Sequence, residues 1–175
     1  MGAKGVDMRI GGDLGEERVE GCLNILCDIG GFGDIECEVL EPGHAVLGFD
    51  TASAMRNPYG DLHGGFYMTV CDMAACMAVY TNGSKPVTLQ CSFNFCEGIH
   101  VNGQRVTVDA RVVRKGKTIQ VVNVEFVDEA GTVCLRSSFT TFAKKELAGE
   151  EPFPTQEESL ETVRAFFAEA GREMR

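Results

Sequence analysis

Histidines and paired cysteines, from which metal sites are usually built, are scarce in this 175-residue chain. It has three histidines, and its eight cysteines occur singly, with no CxxC motif. Structural zinc sites are usually assembled from closely spaced cysteine and histidine ligands, so we expect no bound metal. Single cysteines in apolar surroundings usually behave as small buried hydrophobic residues, so we expect no disulfide framework either. His44 and His100 lie beside predicted turns and are expected at the surface.

Positive charge is also limited. The chain has 16 basic and 26 acidic side chains and a formal net charge of -10. Its long-range field repels phosphate backbones and anionic membrane surfaces, so neither nucleic acid nor a membrane is an expected partner. The opening sequence MGAKGVDMRIGGDLGEE lacks the basic segment and apolar stretch of a secretory signal. We therefore expect a cytoplasmic protein.

The length and composition are those of one globular domain, since 44% of the residues are apolar and 24% are charged. We expect this domain over residues 1–146, with its core at 15–143. Residues 147–155 are polar with two prolines and read as a linker. Residues 156–175 are predicted to form an amphipathic helix, of a kind that usually docks onto the domain or onto a second subunit. Its apolar stripe consists of Leu160, Val163, Phe166, Phe167 and Ala170.

Helical and strand periodicities alternate along the domain. A helix is predicted over 16–29, followed by a hairpin whose turn is at 41–44. A second helix begins at HGG and is apolar on every face from Phe66 to Tyr80 apart from Thr69 and Asp72, so we expect it to be buried all round. Four strands follow, and the last three form a meander. A sheet that buries one face against a single apolar helix curves around it, which predicts an α+β fold with a curved antiparallel sheet.

The strand PVTLQCSFNF alternates strictly. Its pattern predicts one buried apolar face and one polar face that carries Thr88. The apolar face is composed of Val87, Leu89, Cys91, Phe93 and Phe95.

The start of the long helix has the chemistry of an oxyanion site. His63 is followed by Gly64 and Gly65, where backbone N–H groups lack helical acceptors and the helix dipole is positive. Glycine lets a substrate carbonyl approach the backbone closely, as acyl transfer requires. The alternative is that the two glycines only permit a tight entry into the helix.

Asp72 is the one carboxylate within this apolar helix. A buried carboxylate is costly unless it has partners or a catalytic task, although it could simply cap a neighbouring loop. Gly65 and Asp72 are seven residues apart, which is roughly 10 Å along a helix axis, so one carbonyl cannot contact both. Two such helices packed antiparallel across a twofold axis would bring the start of one opposite the middle of the other. This predicts a site that straddles a homodimer interface.

The sequence NPYGDLHGG at 57–65, the following Asp72, the strand PVTLQCSFNF and the turn RKGK resemble the PaaI-like branch of the hot-dog-fold acyl-CoA thioesterases. The resemblance covers about residues 18–143. It implies an acyl-CoA substrate, no cofactor beyond the coenzyme A of that substrate, and a homodimer that pairs into a dimer of dimers. Asp61 is an unusual acid for its place in this motif, which allows a further electrostatic influence there.

The resemblance also implies roles for individual residues. Asp72 is the nucleophile or the general base that activates water, and the Gly65 N–H polarises the thioester carbonyl. Asn57 and His63 orient the water or the carbonyl, while Thr88 helps to place Asp72. Each of these three has a simpler alternative: Asn57 as a turn residue, His63 as a helix-entry contact and Thr88 as an exposed strand residue.

The phosphates of coenzyme A require positive charge. Between residues 105 and 117 the chain carries five basic side chains and one acid, a local reversal of its overall sign. In the similar family this turn lies near the nucleotide end of the substrate, so Arg114, Lys115 and Lys117 are candidate phosphate ligands, to which Arg56 could contribute. The alternative is an ordinary solvated turn.

Two other functions are compatible with this fold. In a hot-dog hydratase or dehydratase, a histidine and an acid such as His63 and Asp72 exchange protons with an enoyl or 3-hydroxyacyl thioester. A Gly-Gly helix start suits attack on a thioester carbonyl better. The second alternative is a non-catalytic acyl-CoA-binding module. Such a regulator is expected to carry a basic recognition element, which this sequence lacks.

Overall fold

The computed structural model describes residues 8–12, 14–27, 35–52 and 55–145. In chain order the elements are β1 (Arg9–Ile10), α1 (Glu16–Cys27), β2 (Glu36–Glu41), β3 (His44–Asp50), α2 (Gly64–Tyr80), β4 (Ser84–Phe95), β5 (Arg105–Lys115), β6 (Ile119–Val127) and β7 (Val133–Lys145). The predicted linker at 147–155 and the predicted helix at 156–175 lie outside the described residues.

The seven strands form one sheet in the order β1-β2-β3-β5-β6-β7-β4. All neighbours pair antiparallel except the two-residue strand β1, which runs parallel to β2. The predicted meander is β5-β6-β7. The predicted α+β architecture, a curved sheet with one long helix against it, is confirmed as a hot-dog fold. Within the described residues, no helix combines the length and apolarity that a membrane span requires.

Helix α2 packs its apolar side chains against the inner face of the sheet. Phe66 stacks edge-on against Phe49 of β3, with ring centroids 5.1 Å apart, and Tyr67 lies 4.8 Å from Phe126 of β6. One strip of the helix stays partly open, however: Met68 is 43% exposed, and Asp72 is not buried. The prediction of a helix buried all round is therefore wrong for the single chain, because nothing described covers α2 beyond the edge strand β4.

Strand β4 departs from its predicted alternation. Val87 and Leu89 were expected on the buried face, but they are 56% and 58% exposed. A bulge lies between Thr88 and Gln90, where the pairing with β7 shifts by one residue. Because side chains alternate with a period of two, this shift puts the residues before the bulge on the opposite face from the one predicted. Thr88 consequently faces α2 instead of solvent.

His44 also differs from its predicted surface position. It is only 7% exposed, with Nδ1 3.3 Å from the Glu41 carboxylate and Nε2 3.3 Å from that of Asp109. Residue 44 begins β3, a strand enclosed between β2 and β5, so its proximity to the turn does not expose it. His100 is at the surface, as expected.

Candidate active site

A carboxylate and a hydroxyl meet on the open strip of α2. The Thr88 hydroxyl donates a hydrogen bond to Oδ1 of Asp72, with 2.6 Å between the oxygens. This is the length of a charge-assisted O–H to carboxylate bond, which is stronger than a neutral one. The bulge in β4 makes the contact possible, since it turns Thr88 toward the helix. Asp72 is thus held in place beside the free edge of β4, where solvent or a ligand can reach it.

The thiol of Cys76 lies one turn further along the same strip, with Sγ 4.0 Å from Oγ1 of Thr88. Burial, and secondarily the charge of Asp72, raise the pKa of Cys76 to about 12, although a contact with Thr88 opposes the shift. Burial likewise raises the pKa of Cys71 to about 12. Both thiols stay protonated at neutral pH and are poor nucleophiles. Asp72 is therefore the better candidate for a nucleophile or base on this strip.

The first turn of α2 is capped by a histidine. The Gly65 N–H donates to Nδ1 of His63 at 3.0 Å, so His63 is the N-cap residue. The predicted oxyanion donor is therefore already engaged, and it becomes free only when the His63 ring turns away. Among the described residues nothing accepts the N–H of Gly64, which lies at the same positive helix end. The sequence placed Gly64 at this helix start, but the oxyanion role was assigned to Gly65 alone.

Asn57 organises the loop before α2. Its Oδ1 accepts hydrogen bonds from the N–H groups of Tyr59 at 2.8 Å and Asp61 at 3.1 Å, and its own N–H donates to the Asp61 carbonyl at 2.8 Å. The simpler alternative, a turn residue, is therefore part of its role. The side-chain NH₂ makes no hydrogen bond to the described residues, so it remains available as a donor to a ligand.

A cavity of about 440 Å³ lies at this end of the helix. Asn57, Asp61 and Gly64 supply polar groups to its lining, while Tyr67 and Phe95 form an apolar wall, with their rings edge-on at 5.6 Å. A few converging polar groups beside an apolar wall are typical of ligand sites. Tyr67 and Phe95 were predicted only as core residues, because periodicity reports burial and cannot report which buried ring borders a cavity.

Asp61, noted as unusual from the sequence, is paired with His100. Its carboxylate lies 3.2 Å from Nδ1 of the imidazole. A Cβ at Gly98 would come within 3.0 Å of the carboxylate, and Gly60, with φ +98°, lies beneath the imidazole ring. The contact joins residues 39 apart, so no local pattern predicts that His100 belongs near the cavity.

The predicted site residues fall into two separate groups. Asn57, His63, Gly64 and Gly65 surround the start of α2, whereas Asp72 and Thr88 lie in its middle; Asp72 does not line the cavity. Seven residues of helix separate Gly65 from Asp72, or roughly 10 Å. One chain therefore does not bring the donors and the carboxylate onto one substrate carbonyl.

The basic residues are divided in the same way. Lys115 Nζ lies 3.4 Å from Oδ1 of Asn82, which places the Arg114–Lys117 turn just beyond the end of α2. Arg56 precedes the helix and pairs with Leu62. The helix has 17 residues and is about 25 Å long, so Arg56 and the turn are far apart within one chain.

The turn is nevertheless close to the Asp72–Thr88 pair. Thr88 pairs with Thr141 of β7, and Thr141 pairs with Gln120 of β6, three residues after Lys117. The distance from Thr88 to Lys117 is therefore two strand spacings across the sheet and three residues along the chain, which together correspond to roughly 14 Å. That distance suits a long ligand that spans both features.

The free edge of β4 is apolar and exposed. No strand among the described residues pairs with this edge. Leu89 and Phe95 are 58% and 51% exposed, and Met68 of α2 lies open as well. An open edge with apolar side chains is a surface that another chain tends to cover.

Comparison with known sequences identifies relatives among esterases and thioesterases. Residues 59–135 match the model of the family described as "Thioesterase superfamily". A protein of Saccharolobus solfataricus, named as a candidate esterase, is 32% identical over 102 residues, which are 57% of this chain and 71% of that one. A second S. solfataricus protein of the same description is 30% identical over 70% of this chain and 82% of its own.

Solved structures give the same result. A hypothetical thioesterase from Streptococcus pneumoniae with coenzyme A has a TM-score of 0.67 and 25% identity, over 74% of this chain and 98% of that one. A mutant of the phenylacetic acid degradation protein PaaI from Thermus thermophilus has a TM-score of 0.58 and 28% identity, over 62% and 91%. These structures share the fold of this chain.

Proposed function

Because this chain belongs to the thioesterase superfamily, we propose that it hydrolyses acyl-CoA thioesters to the free acid and coenzyme A, at two composite sites of a homodimer. The observation that carries the proposal is the Asp72 carboxylate, held by Thr88 on an open strip of α2 and separated from the cavity at the helix start. Each group of residues has half of the chemistry that thioester hydrolysis requires.

A second copy of the chain supplies the missing half. If two β4 edges pair across a twofold axis, the two α2 helices run antiparallel, and the first turn of one lies opposite the middle of the other. The exposed side chains of Leu89, Phe95 and Met68 favour such a contact, since pairing would bury them. The dimer then has two equivalent sites, each with Asn57, Gly64 and Gly65 from one copy and Asp72 and Thr88 from the other.

The chemistry follows from the charges at each site. The N–H groups at the positive end of α2 bind the thioester oxygen and stabilise the negative charge that develops on it. Asp72 acts in one of two ways. Its carboxylate attacks the carbonyl carbon, expels the CoA thiolate and forms an anhydride that water then hydrolyses, or it accepts a proton from the water that attacks. Either route consumes one acyl-CoA and one water and yields acid and CoA.

The mutant structures of a relative support the residue assignment. Two further structures of the S. pneumoniae thioesterase carry an aspartate-to-alanine and a threonine-to-alanine mutation. The two mutated positions are 16 residues apart, the same separation as Asp72 and Thr88. An aspartate and a threonine at this spacing were therefore chosen for mutation in a protein of the same fold.

The basic turn favours coenzyme A as the thiol part of the substrate, because coenzyme A carries phosphates. Arg114 and Lys117 have no ion-pair partner among the described residues, so both are available to phosphates. Within one chain, Arg56 and the Arg114–Lys117 turn lie at opposite ends of α2. The antiparallel dimer brings Arg56 of the second copy toward the turn of the first. Structures of relatives contain coenzyme A or acetyl-CoA. The apolar wall of Tyr67 and Phe95 favours an apolar acyl group.

The experiment that tests this function measures thiol release from a panel of acyl-CoA thioesters. We expect Asp72→Asn to lower kcat by on the order of 10³-fold, because the amide is neither a base nor a nucleophile. Asp50→Asn is the matched control, since Asp50 is an exposed acid on β3 whose one ion pair among the described residues is with Arg105.

Three outcomes would contradict the proposal. Full activity of Asp72→Asn would remove Asp72 from the reaction. Hydration of an enoyl-CoA without thiol release would identify a hydratase. Tight binding of acyl-CoA without any turnover would identify a binding module.

A further inference from the structure

The outer face of the sheet, opposite α2, carries an apolar patch at one end. Val87 of β4 pairs with Phe142 of β7, and Phe142 pairs with Ile119 of β6. Directly paired residues lie on one face, and the neighbouring Thr88 and Thr141 face inward, so these three point outward. They are 56%, 39% and 36% exposed. We call Val87, Ile119 and Phe142 the outer patch.

Polar residues border the outer patch on the same face of the sheet. Further along the same face, the paired positions are polar: Arg136 is bonded to Glu125 at 2.8 Å, and Ser138 pairs with Asn123. The middle of this face is therefore polar, and the outer patch is an exposed apolar surface beside it. Contiguous exposed apolar side chains of this kind mark a surface that binds something.

The chain itself continues from beside the patch. Strand β7 ends at Lys145, three residues after Phe142. Residues 146–155 can span at most about 36 Å, so residue 156 stays within that distance of the end of β7. Tethering of this length corresponds to an effective concentration on the order of millimolar, which favours even a weak contact.

Residues 156–175 have the apolar pattern that complements the patch. Leu160, Val163, Phe166 and Phe167 recur at helical spacing and form one stripe. Such a stripe is unfavourable in water unless it is covered. Three outward apolar side chains on adjacent strands provide a surface of matching character.

Charge is complementary as well. Residues 156–175 contain five glutamates and three arginines, and the preceding residues 146–155 add three glutamates. The patch borders the basic β5–β6 turn, since Ile119 follows Lys117 by two residues, and neither Arg114 nor Lys117 is ion-paired within the described part of the chain. Acidic residues of the segment are therefore attracted to the same end of the sheet.

This chain is longer than a relative that shares its fold. The S. pneumoniae thioesterase aligns over 98% of its own length but only 74% of this chain. We propose that residues 156–175 dock onto the outer patch, with their apolar stripe against Val87, Ile119 and Phe142 and their glutamates near Arg114 and Lys117. Since the same turn is assigned to CoA phosphates above, the docked segment and the nucleotide compete for it; this consequence, unlike the docking, rests on the proposed function.

Hydrogen–deuterium exchange of the full chain, read by mass spectrometry, tests the docking. We expect the amides of 156–175 to exchange at least about tenfold faster in Phe142→Asp than in the unmodified protein, because a charge in the patch repels the stripe. Phe166→Asp should have the same effect without altering the sheet at all. Ile10→Asp is the control, since Ile10 is also apolar and 46% exposed but lies on β1 at the far edge. Unchanged exchange in α2 and β5 verifies that each variant is folded.

Several results would overturn the proposal. One is rapid exchange of 156–175 in the unmodified protein. Another is protection of the segment that persists in both Phe142→Asp and Phe166→Asp. A third is a smaller particle for Phe142→Asp in light scattering with unchanged exchange in the segment, which would show that a second copy covers the patch instead.

Discussion

The first turn of α2 and its middle differ in every property relevant to catalysis. The first turn has two glycines, N–H groups at the positive end of the helix dipole and a cavity with an apolar wall. The middle has a carboxylate, a hydroxyl that holds it and a protonated thiol. In the proposed mechanism, the first turn binds the developing oxyanion, and the middle attacks the thioester or activates water. They lie roughly 10 Å apart along the helix, so the proposed reaction requires the first turn of one chain and the middle of α2 from another.

Mixing two inactive variants gives the largest expected effect. Asp72→Asn damages only the middle of α2, and Gly65→Val damages only its first turn, where a Cβ would lie 3.2 Å from His63 Nδ1. After the two variants are refolded together, half of the dimers are mixed and have one intact site of two, so activity should return to about a quarter of normal.

The control mixture combines Asp72→Asn with Thr88→Val. Both changes affect the middle of α2, so every site in a mixed dimer has one damaged half, and no recovery is expected. A failure of the first mixture to recover, with dimers verified by native mass spectrometry, would show that each site is formed within one chain.

Thr88→Val should have the next largest effect. It removes the 2.6 Å hydrogen bond to Asp72. A hydrogen bond to a charged group contributes about 1.5–3 kcal/mol, so we expect kcat to fall by on the order of 10- to 100-fold with little change in KM. Thr88→Ser keeps the hydroxyl and should restore most of kcat. Equal losses in the two variants would mean that Thr88 contributes packing and not its hydroxyl.

Lys117→Glu should change binding and leave the chemistry intact. Reversal of a charge beside the nucleotide should raise KM for an acyl-CoA by about tenfold, which corresponds to 1.4 kcal/mol. The same acyl group on pantetheine, which lacks the nucleotide, is the matched substrate, and its KM should not change. If both substrates are affected equally, the turn does not contact the phosphates of coenzyme A.

Cys76→Ala should have the smallest effect, less than about twofold on kcat, since its protonated thiol takes no part in the reaction. With the pKa raised to about 12, the thiolate fraction at pH 8 is on the order of 10⁻⁴ and increases as the pH rises toward 12. Iodoacetamide at pH 8 should therefore modify the exposed Cys96 before Cys76, as peptide mapping can measure. Rapid alkylation of Cys76 at pH 8 would contradict the assigned protonation state.

The order of helices and strands was predictable, because the spacing at which apolar residues recur along the chain differs between a helix and a strand. The α+β hot-dog fold, the long helix at HGG and the three-stranded meander are confirmed. The face of β4 was not predictable, since one bulge between Thr88 and Gln90 shifts the alternation and no residue there signals it. The same shift brings Thr88 to Asp72. The burial of His44 and the pairing of Asp61 with His100 also depend on contacts between distant residues.

The sequence by itself determined the chemical groups: the glycines at the start of α2, the single carboxylate seven residues later and the basic turn. Residue type and local spacing are sufficient for that, because helix geometry fixes how far apart Gly65 and Asp72 lie. Only the tertiary structure decided how these groups are arranged. It pairs the Gly65 N–H with His63, turns Thr88 toward Asp72 and leaves the edge of β4 without a partner strand among the described residues. Those features arise from strand register and from packing between residues far apart in the chain, which local patterns do not specify.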